Sequence, residues 1–467
     1  MDSTLNEKYE ILEQIGKGTY ANVYKVQRKQ DGKFFVVKQI EQARMNISEI
    51  DILRRFFSNY ILHAEEIFFD SDNINIILEL ADTTLQEFAQ EDITMETALM
   101  IAYQLAYAIG CLHQEYYHCD IKPDNVLIQI DSGKTLLSDF SLAYSIDLPG
   151  NGNVCANELF RPPEYFKEGY SGVSALNDWW AYGCTIFYLV AGRQFVYKED
   201  QMRKYIDNPR EYLEKYIADS DINNFLLKIL APNQSDRYDN VEQILSDKIF
   251  DKISKPSTFC DVFQGQKKFN IGFPLEDTSI KESDIYVILV FLLEVCFKIN
   301  SRAQTYIFAV DLFMRTLPIN EIQQNQLQAW AICCLWIASE LYDNNRFHFG
   351  VYKGVDLARF ICNYSYSEQD LYNTRINILL LTDFVIAQHT LYNYASNLEQ
   401  LKIIFQYILY IHPGDFLLEY SELLKVKREY NVYGYTQYYN KLKDDFLKNW
   451  QDDENDYTIR YLFPNLL

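Results

Sequence analysis

Glycine and proline are scarce in this chain, at 17 and 11 of 467 residues. That excludes collagen-like and low-complexity architectures and points to regular secondary structure along most of the length. The nine cysteines include no Cys-x-x-Cys pair, and Cys333-Cys334 are the one adjacent pair. Lacking metal-site or disulfide-framework spacing, they read as free thiols of a reducing compartment. The opening Met1-Asp2-Ser3-Thr4 is polar and is not a secretory signal. The longest apolar run, Ile285 to Phe297, carries Glu294 and is too short to span a bilayer. Basic residues are outnumbered, 43 Lys and Arg against 65 Asp and Glu, for a net charge of −22. A field of that sign disfavours nonspecific binding to nucleic acid or anionic membrane, so neither is expected as a partner. The expected location is intracellular, in nucleus or cytoplasm.

What is present suits two or three globular domains, with 48% hydrophobic residues, 37 Tyr and 30 Phe. Strand patterns run over Tyr9–Ile15, Val23–Gln27, Lys33–Gln39 and Ile74–Leu80, with a helix expected over Ile47–Phe57. From Thr94 helical patterns dominate, first at Met95–His113 and again at Trp179–Val190. Pro256, Gly265, Gly272 and Pro274 then punctuate Lys252–Glu282, which reads as a linker. Further helices are expected at Ser283–Lys298, Ala303–Thr316, Glu321–Leu341, Asp356–Asn363 and Ser367–Thr382.

Several motifs carry phosphoryl-transfer chemistry. That reaction needs a triphosphate held, a metal positioned and an acceptor hydroxyl aligned. Gly16-Lys17-Gly18-Thr19-Tyr20-Ala21-Asn22-Val23 lies between two strands, and its glycines let backbone approach phosphates. Lys38 follows the strand Phe34-Phe35-Val36-Val37, and Glu49 sits on the next helix, placed to pair with it. His118-Cys119-Asp120-Ile121-Lys122-Pro123-Asp124-Asn125 supplies a proton acceptor, a cation and an amide. Leu137-Ser138-Asp139-Phe140-Ser141 supplies a second carboxylate. Arg161-Pro162-Pro163-Glu164, Asp178-Trp179-Trp180-Ala181-Tyr182-Gly183 and Arg237 follow.

In this order and spacing, residues from about 8 to 252 resemble a eukaryotic protein kinase of the cyclin-dependent kinase type. The resemblance implies ATP and Mg2+ as cofactors and protein substrates. It implies Asp120 as base, Lys122 as stabiliser of the transferring phosphoryl, and Asn125 and Asp139 as metal ligands. Ile15, Gly16, Gly18, Val23, Val36, Lys38, Glu49, Glu79, Ala81 and Leu127 are the implied ATP-binding residues. Lys122 matches the serine/threonine pattern. Thr19 and Tyr20 match the inhibitory phosphorylation pair of that family.

Residues from about 283 to 395 resemble a cyclin box, on Gln304 to Arg315, Trp330 to Glu340 and Val355 to Thr390. The arginine–aspartate pair that cyclins bury corresponds to Ile285 and Met314. The lysine and glutamate that grip the kinase correspond to Glu340 and Arg375, with signs exchanged. Ile47 aligns with a cyclin-docking residue on the kinase side. The substrate-docking patch of cyclins is not preserved around Asp284–Phe291.

The expected fold is therefore an α+β bilobal kinase followed by an all-α cyclin-like helical domain. The kinase domain is assigned to 1–252 (N-lobe 1–80, C-lobe 81–252), a linker to 253–282, the cyclin-like domain to 283–395, and a shortened second helical repeat to 396–467. Three arginines of the family that gather a phosphothreonine correspond to Ser48, Cys119 and Tyr144, and the phosphorylated residue corresponds to Gly152. All are absent together, which is self-consistent, because a phosphate and its arginines need each other. The expected replacement is an intramolecular kinase–cyclin contact holding the Ile47–Phe57 helix inward, Cys119 marking the discarded switch. A tether of roughly 30 residues reaches up to about 100 Å and supplies an effective concentration of order mM. Two rivals stay open: a pseudokinase–cyclin scaffold, and a kinase whose helical half binds an external partner.

Overall fold

The computed structural model describes residues 3–17, 21–70, 73–146, 157–166, 172–262, 280, 282–299, 301–317, 322–343, 348–349 and 351–384. Gly18, Thr19, Tyr20, Gly152 and the whole 396–467 segment lie outside these residues. The chain divides into two compact units, Met1–Phe263 and Gln264–Leu467.

The first unit opens with a short helix α1 (Ser3–Lys8) and an antiparallel sheet of β1 (Tyr9–Lys17), β2 (Ala21–Arg28), β3 (Phe34–Glu41), β5 (Ala64–Phe69) and β6 (Asn73–Glu79), in the order β1-β2-β3-β6-β5. Its buried face gathers Tyr9, Val26, Phe35, Val37 and Ile77 into one core. Between β3 and β5 comes helix α2 (Ile47–Arg55), then strand β4 (Phe56–Ser58). Asn46 starts α2 by accepting from the backbone N–H groups of Ser48 and Glu49. The helix pattern continues to Phe57 in sequence, but the chain turns extended at Phe56, where β4 finds a pairing partner.

The rest of this unit is mainly helical: α3 (Leu85–Phe88), α4 (Met95–Leu112), α5 (Ala175–Ala191), α6 (Glu199–Asp207), α7 (Pro209–Glu214), α8 (Ser220–Ile229) and α9 (Val241–Leu245). Short strand β7 (Thr83–Thr84) leads into α3, and β8 (Tyr116–Tyr117), β9 (Val126–Gln129), β10 (Lys134–Leu137) and β11 (Tyr144–Ser145) carry the loops between α4 and α5. By length and composition α4 could cross a membrane, yet 67% of it is buried in the protein. It is a core helix, joined to α5 by the Tyr182 hydroxyl donating to the Ala102 carbonyl at 3.0 Å. Gly183 allows α5 to approach its neighbour, since a Cβ there would stand 2.7 Å from Ile229 and Leu230.

The segment read as a linker from residue 253 is structured at its start. Strand β12 (Cys260–Val262) pairs antiparallel with β4, Cys260 opposite Ser58. Three residues without a long alternating pattern form this strand because a partner edge is already laid out for them.

The second unit contains α10 (Glu282–Lys298), α11 (Ala303–Thr316), α12 (Leu327–Tyr342), the hairpin β13 (His348–Phe349) and β14 (Tyr352–Lys353), α13 (Gly354–Ile361) and α14 (Glu368–Leu381). Helix α12 is buried nearly all round, as a central helix must be when no face is polar. It begins later than Glu321 because Gln323 and Gln326 form a capping box on a 3-10 turn that precedes it. Ile285 and Met314 are both buried. On α11, Asp311 accepts from the buried Arg315 Nε at 2.8 Å, a part-buried ion pair that the sequence pattern does not announce.

Candidate active site

The sheet of the first unit places Lys38. Strand β3 is paired on both sides, Lys38 lying between Val23 on β2 and Ile76 on β6. Its Nζ donates to Glu49 Oε1 at 2.5 Å and to Asp139 Oδ1 at 3.3 Å. Burial works against the Lys38 charge, but the carboxylates of Glu49 and Asp139 outweigh it and hold the ammonium above the usual lysine range. Gly16 faces Val23 across the β1–β2 ladder, and Ile15 sits at an irregularity in that ladder, exposed. Val36 and Leu127 are half-buried, as are Glu79 at the end of β6 and Ala81 between β6 and β7. The Glu79 carboxylate accepts from Gln129 Nε2 at 2.9 Å.

The catalytic-loop candidates form one hydrogen-bonded unit. Lys122 Nζ donates to Asp120 Oδ2 at 2.6 Å. Asn125 Nδ2 donates to the Asp120 carbonyl at 2.8 Å and to its Oδ2 at 2.9 Å. The Asp120 N–H donates to His118 Nδ1 at 3.2 Å, so the imidazole proton sits on Nε2 and points to the Ser138 carbonyl at 3.0 Å. That bond joins the loop to the segment carrying Asp139. Burial opposes ionisation of Asp139, but Lys38, the Ser141 hydroxyl and His118 keep its carboxyl below the usual range. Cys119 and Asp139 both have left-handed backbone, φ 67° and 58°, each a strain of about 1–2 kcal/mol. The strain at Cys119 is offset by Asp178 on α5. Its carboxylate accepts the backbone N–H of His118 at 2.7 Å and of Cys119 at 2.9 Å, and pairs with His113 Nε2 at 2.8 Å.

The oxygen donors fit a hard divalent cation. The Asn125 amide nitrogen is committed to Asp120, which leaves its oxygen as the ligand atom. Asp139 keeps 39% of its side chain open. A small cavity beside the loop is lined by Cys119, Asp120, Asn157, Phe160, Pro162 and Asp178. Asn157 is exposed and caps its own turn, accepting from the Leu159 N–H at 3.1 Å. Nearby, Arg237 grips Glu164 through two bonds of 2.6 and 2.8 Å.

Helix α2 is held at both ends within the first unit. At its start, Asn46 Nδ2 donates to the Ser141 carbonyl at 2.7 Å. At its end Arg55, fully buried, binds Asp51 at 2.9 Å and Glu115 at 3.3 Å, while the Tyr116 hydroxyl donates to Asp51 at 2.9 Å. Burial disfavours the guanidinium charge, but Asp51 and Glu115 raise it well above the usual range. These anchors escape sequence reasoning, because Arg55 and Glu115 each look like a surface charge.

The three family-arginine positions are buried. Cys119, Tyr144 and Val173 form an apolar cluster with Tyr117 packed on it, and Ser48 lies on the buried face of α2. Burial, then Asp178 and Asp120, push the Cys119 thiol far up, so it stays protonated. Ile47 is fully buried. In the second unit Arg375 donates to Glu340 and stacks its guanidinium 4.3 Å from the Trp336 ring centre.

The protein kinase domain model matches residues 9–250, just over half of the chain. The model of the cyclin N-terminal domain matches residues 267–387. Cyclin-dependent kinase 14 of Oryctolagus cuniculus and that of Homo sapiens are each 28% identical to this chain over 198 residues, 40% of this chain and 42% of theirs. Cyclin-dependent kinase 17 of Caenorhabditis elegans is 28% identical over 199 residues, 40% of this chain and 30% of its own. The chain thus spans less than half the length of these curated relatives. With the site geometry and the family match in agreement, the chain belongs to the protein kinase family, joined in one polypeptide to a cyclin-type helical domain.

Proposed function

We propose that this protein is an ATP- and magnesium-dependent protein serine/threonine kinase served in cis by its cyclin-type unit. The observation that carries the reading is the bonded constellation of Lys38, Glu49, Asp139, Asp120, Lys122 and Asn125. Asp120 accepts the proton of the substrate hydroxyl as it attacks, and Lys122, on the same carboxylate, stabilises charge on the transferring group. Asn125 and Asp139 hold Mg2+, which when bound neutralises charge on the phosphates. Glu49 keeps Lys38 oriented toward the phosphates. Lys122 supports the serine/threonine class.

The apolar cluster around Cys119 supports activation without a phosphorylated activation segment, since it offers a phosphate no cation. Phosphorylation of a peptide array by the purified full-length chain, phosphatase-treated and compared with Asp120→Asn, tests both points. No transfer above the Asp120→Asn background would favour a scaffold. A protease site between the two units tests the cis role. Cleavage and separation should cut the rate at least tenfold.

A second reading has its own support. The bonds from Asn46 to Ser141 and from Arg55 to Glu115 hold α2 from inside the first unit. On that reading the separated kinase unit keeps its full rate, and the helical unit serves an external partner.

A further inference from the structure

Most thiols among the described residues are buried, and one pair stands out by its contacts. Cys111 lies in the last turn of α4 and is buried; Cys260 opens β12 and is half-buried. The strand register places Cys260 opposite Ser58. The Ser58 hydroxyl in turn lies 4.0 Å from Cys111 Sγ. Gln114, three residues beyond Cys111, donates Nε2 to Cys260 Sγ at 3.6 Å. Each thiol also shifts the ionisation of the other, as neighbouring side chains do.

We propose that Cys111 and Cys260 are a peroxide-sensitive dithiol, and that its oxidation fastens strand β12 to helix α4. The two thiols are unequal in the way such a pair requires. Its neighbour Cys111 lowers the Cys260 thiol, against the effects of burial and Asp261. Cys111 is raised by Cys260 and by burial, so it keeps its proton. Cys260 is therefore the attacking sulfur and Cys111 the resolving one. The Cys260 thiolate attacks an oxygen of hydrogen peroxide; an S–O bond forms, the O–O bond breaks and hydroxide leaves. Cys111 sulfur then attacks Cys260 sulfur; the S–S bond forms, the S–O bond breaks, and the Cys111 proton leaves with the departing oxygen as water. The pair loses two electrons, and the peroxide is reduced to water.

The tail carrying Cys260 is held otherwise by few bonds. The Ser257 carbonyl accepts from Asn59 Nδ2 at 3.0 Å and from the Tyr60 hydroxyl at 2.7 Å, and the Phe259 carbonyl accepts from the Asn59 N–H at 3.2 Å. A covalent link would secure it to the last turn of α4, beside β4, the strand that directly follows α2. In a reducing compartment the disulfide is transient, as a sensor needs.

The test uses the full-length chain with sub-millimolar hydrogen peroxide, free thiols then trapped by alkylation and the protein digested without reductant. The expected product is a Cys111–Cys260 cross-linked peptide, 2 Da lighter than the sum of its thiol peptides and reversed by dithiothreitol. Amide hydrogen exchange over 257–262 should slow in the oxidised protein by roughly tenfold or more. Cys260→Ser should abolish the cross-link and leave Cys111 reduced, while Cys184→Ser leaves the cross-link intact. Cys260 going on to sulfinic acid with Cys111 still free would overturn the proposal. So would Cys260 cross-linked to any other cysteine. Native exchange outside 257–262 in Cys260→Ser separates loss of the thiol from loss of fold.

Discussion

Cys119 and Asp120 are neighbours in the chain and opposites in setting. Asp120 sits in a polar centre where each charge has a partner within hydrogen-bond reach. Cys119 turns the other way, into an apolar cluster with Tyr144 and Val173 where no charge could stand unpaired. One residue along the backbone separates the hydrogen-bonded polar centre from the apolar cluster. On the reading proposed above, a kinase could lose the apparatus for reading its activation segment and keep the apparatus for transfer, because the two draw on different faces of one loop. The hinge between them is Asp178, which holds the N–H groups of His118 and Cys119 and lets Cys119 adopt its left-handed backbone without an arginine to anchor it.

The sharpest way to press on this contrast is Asp120→Asn. Phosphate transfer should fall about 10³-fold while thermal unfolding stays put, since proton acceptance is lost and the hydrogen bonds are nearly matched. Next in size is Arg55→Met. It strips Asp51 and Glu115 of a buried cation and should destabilise the first unit by about 3–5 kcal/mol in denaturant titration. Restoring the family cation on the apolar side, with Cys119→Arg, should cost about 2 kcal/mol or more in the same measurement. A variant as stable as the parent would mean that the cluster can open to admit charge. Cys119→Ala should cost under about 1.5 kcal/mol and leave the transfer rate within twofold, since only a small apolar side chain is removed. The smallest effect belongs to phosphatase treatment, after which the rate of transfer should not fall.

How much of this was legible beforehand follows from distance along the chain. The kinase resemblance rests on short motifs in a fixed order and the cyclin resemblance on apolar helix patterns, and the family matches agree with both. Lys38 with Glu49 is legible because the two are a strand and a helix turn apart. The filling of the Cys119 site is not. The sequence tells which arginines are missing, but Val173 and Tyr144 reach Cys119 only through the fold. The tail strand β12 hides for a similar reason. Cys260-Asp261-Val262 has no period long enough to read, and only the waiting edge of β4 makes it a strand. Arg55 and Glu115, 60 residues apart, carry no local sign that they are buried together.

That last pairing has a consequence for descent. Arg55, Asp51, Glu115 and Tyr116 share one bonded set with the fully buried Arg55–Asp51 pair at its centre, so exchanging one charge of that pair alone leaves the other buried without it. A lineage that carries this set has to keep it whole or trade it whole. Among relatives, these four positions should therefore vary as a block, and a hybrid made by swapping helix α2 between two family members should fold only when residues 115 and 116 travel with it.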